Sequence, residues 1–126
     1  MAAILVIDDD EQTAALLRQM LERAGYEVLS ANNGAEAVKL LERHDVKVIV
    51  TDILMPGMDG MELILKLKFE KKAPIIVAVS GGGKYYGAGE CLTWARNLGI
   101  QHTFAKPIPR TAFLNKIREL MTDRSA

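Results

Sequence analysis

The sequence predicts an α/β fold in which a parallel five-stranded sheet is covered by helices on both faces. Short apolar runs and amphipathic helix-like segments alternate five times along the 126 residues. The runs, such as ILVI and IIVAV, are apolar at every position, which is typical of strands buried on both faces. Strands that alternate with helices favour a parallel sheet with right-handed crossovers.

The first half of the chain contains three strand-like runs and two helix-like segments. Strands are predicted at 3–7, 26–30 and 46–50. Apolar residues at three- and four-residue spacing predict a first helix over 11–23 and a second ending near His44. Asp10 is expected to cap the first helix at its start, and Gly25 is expected to end it.

The second half repeats the alternation around a glycine-rich segment. Helices are predicted at 60–68, from about 88 to 99, and from Pro109 onward, where proline suits the first turn. Strands are predicted at 75–79, ending at Ser80, and at 101–105. Residues 81–89 hold five glycines, so this segment is expected to be the most flexible part of the chain.

Composition narrows the classes of function. Acidic and basic residues balance at 16 each, so there is no basic excess to indicate nucleic acid as a direct partner. A single cysteine precludes an internal disulfide and fits a reducing compartment. No signal peptide and no apolar run long enough to span a membrane are visible. We expect one cytoplasmic domain over 1–126 without a membrane partner.

Polar residues follow the predicted strands at their carboxyl ends. These residues are Asp8 and Asp9 after the first strand, Asp52 after the third, Ser80 after the fourth and Lys106 after the fifth. Ligands of open α/β sheets bind beyond these strand ends, where the strand order reverses. With the flavodoxin-like order 2-1-3-4-5, the three carboxylates converge in one pocket.

Three converging carboxylates need a cation or a shared proton. Two charges about 4 Å apart interact by roughly 4 kcal/mol at an effective dielectric near 20. Mg²⁺ suits an all-carboxylate site that is open to water. A cation and an ammonium around a carboxylate prepare the site for an anion, and phosphoryl transfer depends on such charge neutralisation. Asp52 is therefore the candidate acceptor, with Ser80 and Lys106 holding phosphoryl oxygens.

Over nearly its whole length the chain resembles the response-regulator receiver domains of bacterial two-component signalling, of the chemotaxis-type single-domain kind. The matching pieces are Asp8-Asp9 after ILVI, Asp52 with Met-Pro-Gly-Met-Asp-Gly downstream, Ser80 after IIVAV, and Lys106-Pro107. The pieces in this order and at these separations are highly specific. The resemblance implies a flavodoxin-like (βα)5 three-layer sandwich.

The resemblance also implies roles for the site residues. Asp52 is the phosphoacceptor, and Asp9 and Asp52 ligate Mg²⁺ together with the Leu54 carbonyl. Asp8 contacts the ion mostly through water.

Ser80 is implied to be the switch hydroxyl and Lys106 the phosphoryl-binding lysine. The Lys106–Pro107 peptide bond is implied to be cis, which proline permits.

The implied function is a phosphorylation-activated signalling switch. A sensor histidine kinase or a histidine phosphotransfer protein donates the phosphoryl group, and the domain catalyses only its own phosphorylation and dephosphorylation. A downstream protein partner reads the face built from the fourth helix, the fifth strand and the fifth helix. We expect a monomer or weak dimer, either standing alone or belonging to a longer protein.

The sequence departs from the family pattern in three ways. Thr103 stands where such domains usually carry an aromatic switch residue, and Phe104 should point to the opposite face of its strand. The separation from Ser80 to Lys106 is longer than usual. Leu54 and Gly82, which flank the site, cannot orient an attacking water, so we expect a long-lived phosphoryl group.

Three other classes of protein are alternatives to this interpretation. A phosphatase that forms an aspartyl phosphate at the first strand would use Asp8 and Asp10. Such an enzyme is expected to carry Thr or Val two positions further on, where this chain has Gln12. A flavin-binding electron carrier needs a phosphate loop after the first strand, where DDDEQ would repel phosphate. A receiver-like interaction module with phosphorylation-independent output stays open because of Thr103.

Overall fold

The computed structural model describes residues 3–52, 66–67, 74–80, 93, 96–97 and 99–122. Five parallel strands form one sheet in the order β2-β1-β3-β4-β5. The strands are β1 Ala3–Ile7, β2 Val28–Ala31, β3 Val46–Asp52, β4 Ile75–Ser80 and β5 His102–Ala105. The helices are α1 Glu11–Arg23, α2 Gly34–Arg43 and the C-terminal helix Arg110–Thr122. The predicted strand order is confirmed.

The predicted third and fourth helices lie largely outside the described residues. The residues described there are helical, namely Lys66, Leu67, Thr93, Arg96 and Asn97. The glycine-rich segment 81–89 lies outside as well. Within the part of the chain that the structure describes, no helix is long and apolar enough to cross a membrane.

Helices pack on both faces of the sheet, as its continuous apolar strands predict. One core cluster joins it to α1 and the C-terminal helix, with Val6, Leu17 and Phe113 among its members. A second cluster on the other face includes Ala37 of α2 and Leu67. Because successive strand side chains point to opposite faces, β1, β2 and β3 contribute residues to both clusters. The fold is a three-layer sandwich.

The start of α1 is fixed by Asp10, as expected. Its carboxylate accepts hydrogen bonds from the Gln12 N–H at 3.1 Å and the Thr13 hydroxyl at 2.7 Å. The Thr13 hydrogen bond, followed by that of Gln12, lowers the pKa of Asp10 below its ordinary value. The cap sets the direction in which the chain leaves β1.

The end of α1 explains why β2 starts later than predicted. Gly25 has a φ of 99°, and its N–H donates to the Glu22 carbonyl at 3.0 Å. The Tyr26 N–H donates to the Leu21 carbonyl at 3.2 Å. These two bonds form a Schellman motif. Tyr26 therefore completes the helix end, and the strand begins at Val28.

Lys47 connects β3 to the C-terminal helix. The register between β1 and β3 pairs Ala3 with Val46 and Ile4 with Val48, so Lys47 is an extra residue in β3. Its Nζ atom donates to the Met121 carbonyl at 2.9 Å. Last-turn carbonyls of a helix lack intrahelical donors, and the ammonium supplies one.

We expect Lys47→Met to lower the free energy of unfolding by about 1–2 kcal/mol, because the change removes a charged hydrogen bond to a helix end. Urea denaturation of the parent and the variant measures the difference. The control is Lys39→Met on the exposed surface of α2, which should change stability by less than about 0.5 kcal/mol. Equal effects of the two changes would contradict the anchoring role of Lys47.

Candidate functional site

The polar residues singled out in the sequence meet at the carboxyl edge of the sheet. Asp8 and Asp9 directly follow β1, and Asp52 and Ser80 are the last residues of β3 and β4. Lys106 directly follows β5. Since β1, β3, β4 and β5 are neighbours in that order, their ends bring all five residues to one place.

The Lys106 ammonium bridges two carboxylates. Its Nζ atom lies 2.9 Å from Asp8 Oδ2 and 2.9 Å from Asp52 Oδ2. Asp8 is fully buried and Asp52 is 8% exposed, whereas the Lys106 side chain is 21% exposed. Buried charges are costly unless they are paired. The lysine therefore supplies the counter-charge for both acids.

The pairing also sets the protonation of Lys106. Burial alone lowers the pKa of the amine. The hydrogen bonds to Asp52 and Asp8, together with their negative charges, outweigh burial and raise the pKa above the ordinary value of 10.5. Lys106 therefore remains a cation throughout the neutral range.

Asp8 is held from both sides of its carboxylate. Oδ1 accepts a hydrogen bond from the Asp10 N–H at 2.9 Å, and Oδ2 accepts the bond from Lys106. The backbone N–H of Asp8 donates to the Ala31 carbonyl at 3.2 Å. Asp8 thus has a fixed orientation at the floor of the site.

The three carboxylates fit a hard divalent cation. One oxygen from each of Asp8, Asp9 and Asp52 lies within 4.8 Å of the others. Ligands around one Mg²⁺ ion lie up to about 4.2 Å apart, since Mg–O distances are about 2.1 Å. The three carboxylate oxygens therefore lie close to the spacing that one such ion requires. Asp9 is exposed, so the cluster opens to water. Leu54, the implied carbonyl ligand, lies outside the described residues.

Ser80 is tied directly to Lys106 through the backbone. The Lys106 N–H donates to the Ser80 carbonyl at 3.0 Å, and Ser80 is 1% exposed. The Lys106–Pro107 peptide bond is cis, as the resemblance implied. The positions of the serine and the lysine at the site are therefore coupled.

Thr51 is a supporting residue that sequence reasoning missed. It is fully buried, and its hydroxyl donates to the Asp52 backbone carbonyl at 2.9 Å. The bond restrains the backbone at the residue that carries the central carboxylate. A threonine that follows the apolar residues 48–50 and directly precedes the acid was the available signal.

Arg96 is a second residue that the sequence did not reveal. The Thr103 hydroxyl accepts hydrogen bonds from Arg96 Nε at 3.3 Å and Nη2 at 3.1 Å. Phe104 packs edge-to-face on Phe113, with ring centroids 5.4 Å apart, and lies against the core cluster that includes residues of the C-terminal helix. The expectation that Phe104 points to the opposite face of β5 from Thr103 is confirmed. Thr103, at the position where such domains usually carry an aromatic residue, has Arg96 as a polar partner.

Comparison with known proteins identifies the same family throughout. The family model of the response regulator receiver domain matches residues 4–118. A chemotaxis protein CheY homolog from Campylobacter jejuni (strain 81-176) is 36% identical over 123 residues, which cover 94% of this chain and 91% of that protein. The transcriptional regulatory protein SrrA of Staphylococcus aureus (strain NCTC 8325) is 37% identical over 79 residues, which cover 63% of this chain and 33% of that protein.

Solved structures of similar fold belong to the same family as the sequence relatives. A CheY-like response regulator receiver domain protein from Methanospirillum hungatei JF-1 superposes with a TM-score of 0.80 at 28% identity, covering 94% of this chain and 92% of the other. The response regulator TrrA of Thermotoga maritima, in complex with Mg²⁺ and BeF, gives 0.77 at 28% identity, covering 95% and 99%. The chain therefore belongs to the response regulator receiver domain family, whose members are phosphorylation-activated signalling switches of two-component systems rather than classical enzymes.

Proposed function

We propose that Asp52 accepts a phosphoryl group and that this modification switches the signalling state of the chain. The observation that carries the proposal is the Lys106 ammonium, 2.9 Å from carboxylate oxygens of both Asp52 and Asp8. A fixed cation at an acid that also borders a three-carboxylate cluster provides the charge that a transferring phosphoryl group needs.

In the proposed reaction an Asp52 Oδ atom attacks phosphorus. The donor is a phosphohistidine of a sensor histidine kinase or of a histidine phosphotransfer protein. The new O–P bond forms as the N–P bond breaks, and the departing imidazole nitrogen keeps the electron pair and takes up a proton. Lys106 turns from the carboxylates to a phosphoryl oxygen, and the Ser80 hydroxyl donates to another.

Asp9 and Asp52 are the residues that would hold Mg²⁺, together with the Leu54 carbonyl. The ion would supply positive charge to the carboxylates and phosphoryl oxygens. Both oxygens of Asp8 already accept hydrogen bonds, which supports a contact of Asp8 with the ion through water.

The proposed output is a change of the face formed by the predicted fourth helix, β5 and the C-terminal helix. A downstream protein partner reads this face, and the domain acts in the cytoplasm as a monomer or weak dimer. The match to a chemotaxis protein and to part of a transcriptional regulatory protein supports a signalling role without selecting the partner. Leu54 and Gly82 lie outside the described residues, so the long-lived phosphoryl group stays a prediction.

The direct test is incubation of the chain with acetyl phosphate and Mg²⁺, followed by intact mass measurement. We expect one added phosphoryl group, lost on mild base treatment, as an acyl phosphate should be. Chelation of Mg²⁺ with EDTA should suppress its formation. The decay of the same adduct after donor removal reports the lifetime of the phosphoryl group, which should exceed a few seconds.

Absence of an adduct in the folded parent would refute the proposal and favour an interaction module that ignores phosphorylation. Consumption of many donor equivalents per chain would indicate an enzyme that turns over. An adduct that forms equally well in EDTA would contradict the role of Mg²⁺ while retaining the phosphoacceptor.

A further inference from the structure

The contact between Arg96 and Thr103 joins the fourth-helix region to β5. Two guanidinium N–H groups share the Thr103 hydroxyl as their acceptor, at 3.3 and 3.1 Å. Arg96 is exposed and Thr103 is half-buried, so water competes for these hydrogen bonds. An exposed contact of this kind adds little to stability, and water can readily replace it. These properties suit a contact that changes between two states better than one that only stabilises the fold.

Thr103 lies on the same face of the sheet as Ser80. The register pairs Thr103 with Ala78 and Ala105 with Ser80. Side chains two positions apart on a strand share a face, so these four residues form a small patch. The hydroxyls of Ser80 and Thr103 lie diagonally opposite each other in it. The other two members are alanines, and no large side chain within this patch separates the hydroxyls.

A backbone connection runs from this patch to the phosphoryl site. The Lys106 N–H donates to the Ser80 carbonyl at 3.0 Å, and Lys106 follows Thr103 by three residues along β5 and its end. The bond therefore links the backbone of Ser80 directly to the end of the strand that carries Thr103.

We propose that the Arg96–Thr103 contact belongs to the unphosphorylated state and is released when a phosphoryl group occupies Asp52. The inference rests on the function proposed above. The contact is present while the Lys106 ammonium is bound to Asp8 and Asp52, the arrangement that a phosphoryl group must replace. Because coupling between two sites is reciprocal, breaking the contact should ease occupation of the site.

The test measures the Kd for beryllofluoride, a phosphoryl mimic, with Mg²⁺ present, by titration calorimetry. Thr103→Val removes the acceptor and keeps the branched shape, and Arg96→Gln removes the charged donor from an exposed position. We expect each change to tighten binding roughly 2- to 10-fold. The double variant should tighten it no further than either single change, since both remove one contact. Arg118→Gln, an exposed arginine of the C-terminal helix, is the matched control and should bind as the parent does.

Hydrogen exchange gives a second readout that does not depend on affinity. Amides of Thr93, Arg96 and Asn97 should exchange faster in the parent once beryllofluoride is bound. In the unliganded Thr103→Val and Arg96→Gln variants they should already do so. Thermal unfolding of each variant checks that its fold is intact.

Unchanged or weaker beryllofluoride binding in both single variants would overturn the inference, as would additive effects in the double variant. If the parent incorporates phosphate from acetyl phosphate while the variants match it in Kd and exchange, only this inference fails. If the parent neither binds beryllofluoride nor incorporates phosphate, the proposed function fails and this inference fails with it.

Discussion

Asp52→Asn is expected to abolish phosphoryl incorporation from acetyl phosphate, with a loss of at least roughly 100-fold. A carboxylate attacks phosphorus with an anionic oxygen, whereas the amide oxygen of asparagine is neutral and a poor nucleophile. The amide keeps the shape of Asp52 and can still accept a hydrogen bond from Lys106. A loss of reaction would therefore report the missing charge rather than a collapsed site. Intact mass after incubation with the donor and Mg²⁺ measures it.

Asp45→Asn is the matched control for this prediction. Asp45 is exposed and directly precedes β3, at the end of the strand away from the site. This variant should incorporate phosphate as the parent does. A stable, base-labile adduct of unchanged yield in both Asp52→Asn and Asp52→Ala would exclude Asp52 as the acceptor.

Lys106→Met is expected to destabilise the fold by about 2–3 kcal/mol at neutral pH without Mg²⁺. Removing one partner of a fully buried pair costs about 3–5 kcal/mol, and this lysine side chain is 21% exposed, so we discount that range for solvent screening. Methionine keeps the length of the side chain but leaves Asp8 and Asp52 without their shared cation. Urea denaturation measures the loss, and the Lys39→Met control should lose less than about 0.5 kcal/mol.

Mg²⁺ should restore part of this stability. A cation that binds the folded state stabilises it by mass action, and in the variant the ammonium no longer competes for the same carboxylates. Mg²⁺ is therefore expected to raise the stability of Lys106→Met more than that of the parent. An equal gain in both proteins would show that lysine and ion do not share these carboxylates.

Stability at alkaline pH gives an independent check that the charge of Lys106 stabilises the fold. The folded-state pKa of Lys106 lies above its ordinary value of 10.5. The stability that it contributes is therefore fully present below that ordinary value and is lost as the pH rises through the folded-state pKa. The difference in the free energy of unfolding between the parent and Lys106→Met should be constant from neutral pH to about pH 10. Above that pH the difference should become smaller. A difference that narrows near neutral pH would contradict the raised pKa.

Patterns in the sequence were enough to predict the architecture, and they also identified the residues of the candidate site. Continuous apolar runs identified β1 and β4 with their observed starts, because strands buried on both faces leave no polar positions. The acids and the lysine that follow such strands are conspicuous for the same reason: charge at the end of an apolar strand requires a partner. Asp10 and Gly25 fixed the ends of α1, since capping depends on residues close in sequence.

The contacts among these groups became known only from the three-dimensional packing of the elements. Lys106 bridges Asp8 and Asp52, which lie 98 and 54 positions away in the chain, and Lys47 reaches Met121 across 74 positions. Thr103 occupies a position that usually carries an aromatic residue in this family, and its hydroxyl is bound by Arg96. Apolar periodicity reports which face of an element is buried and local motifs report its ends. The partner of a polar side chain, however, depends on how separate elements pack, and neither signal carries that information.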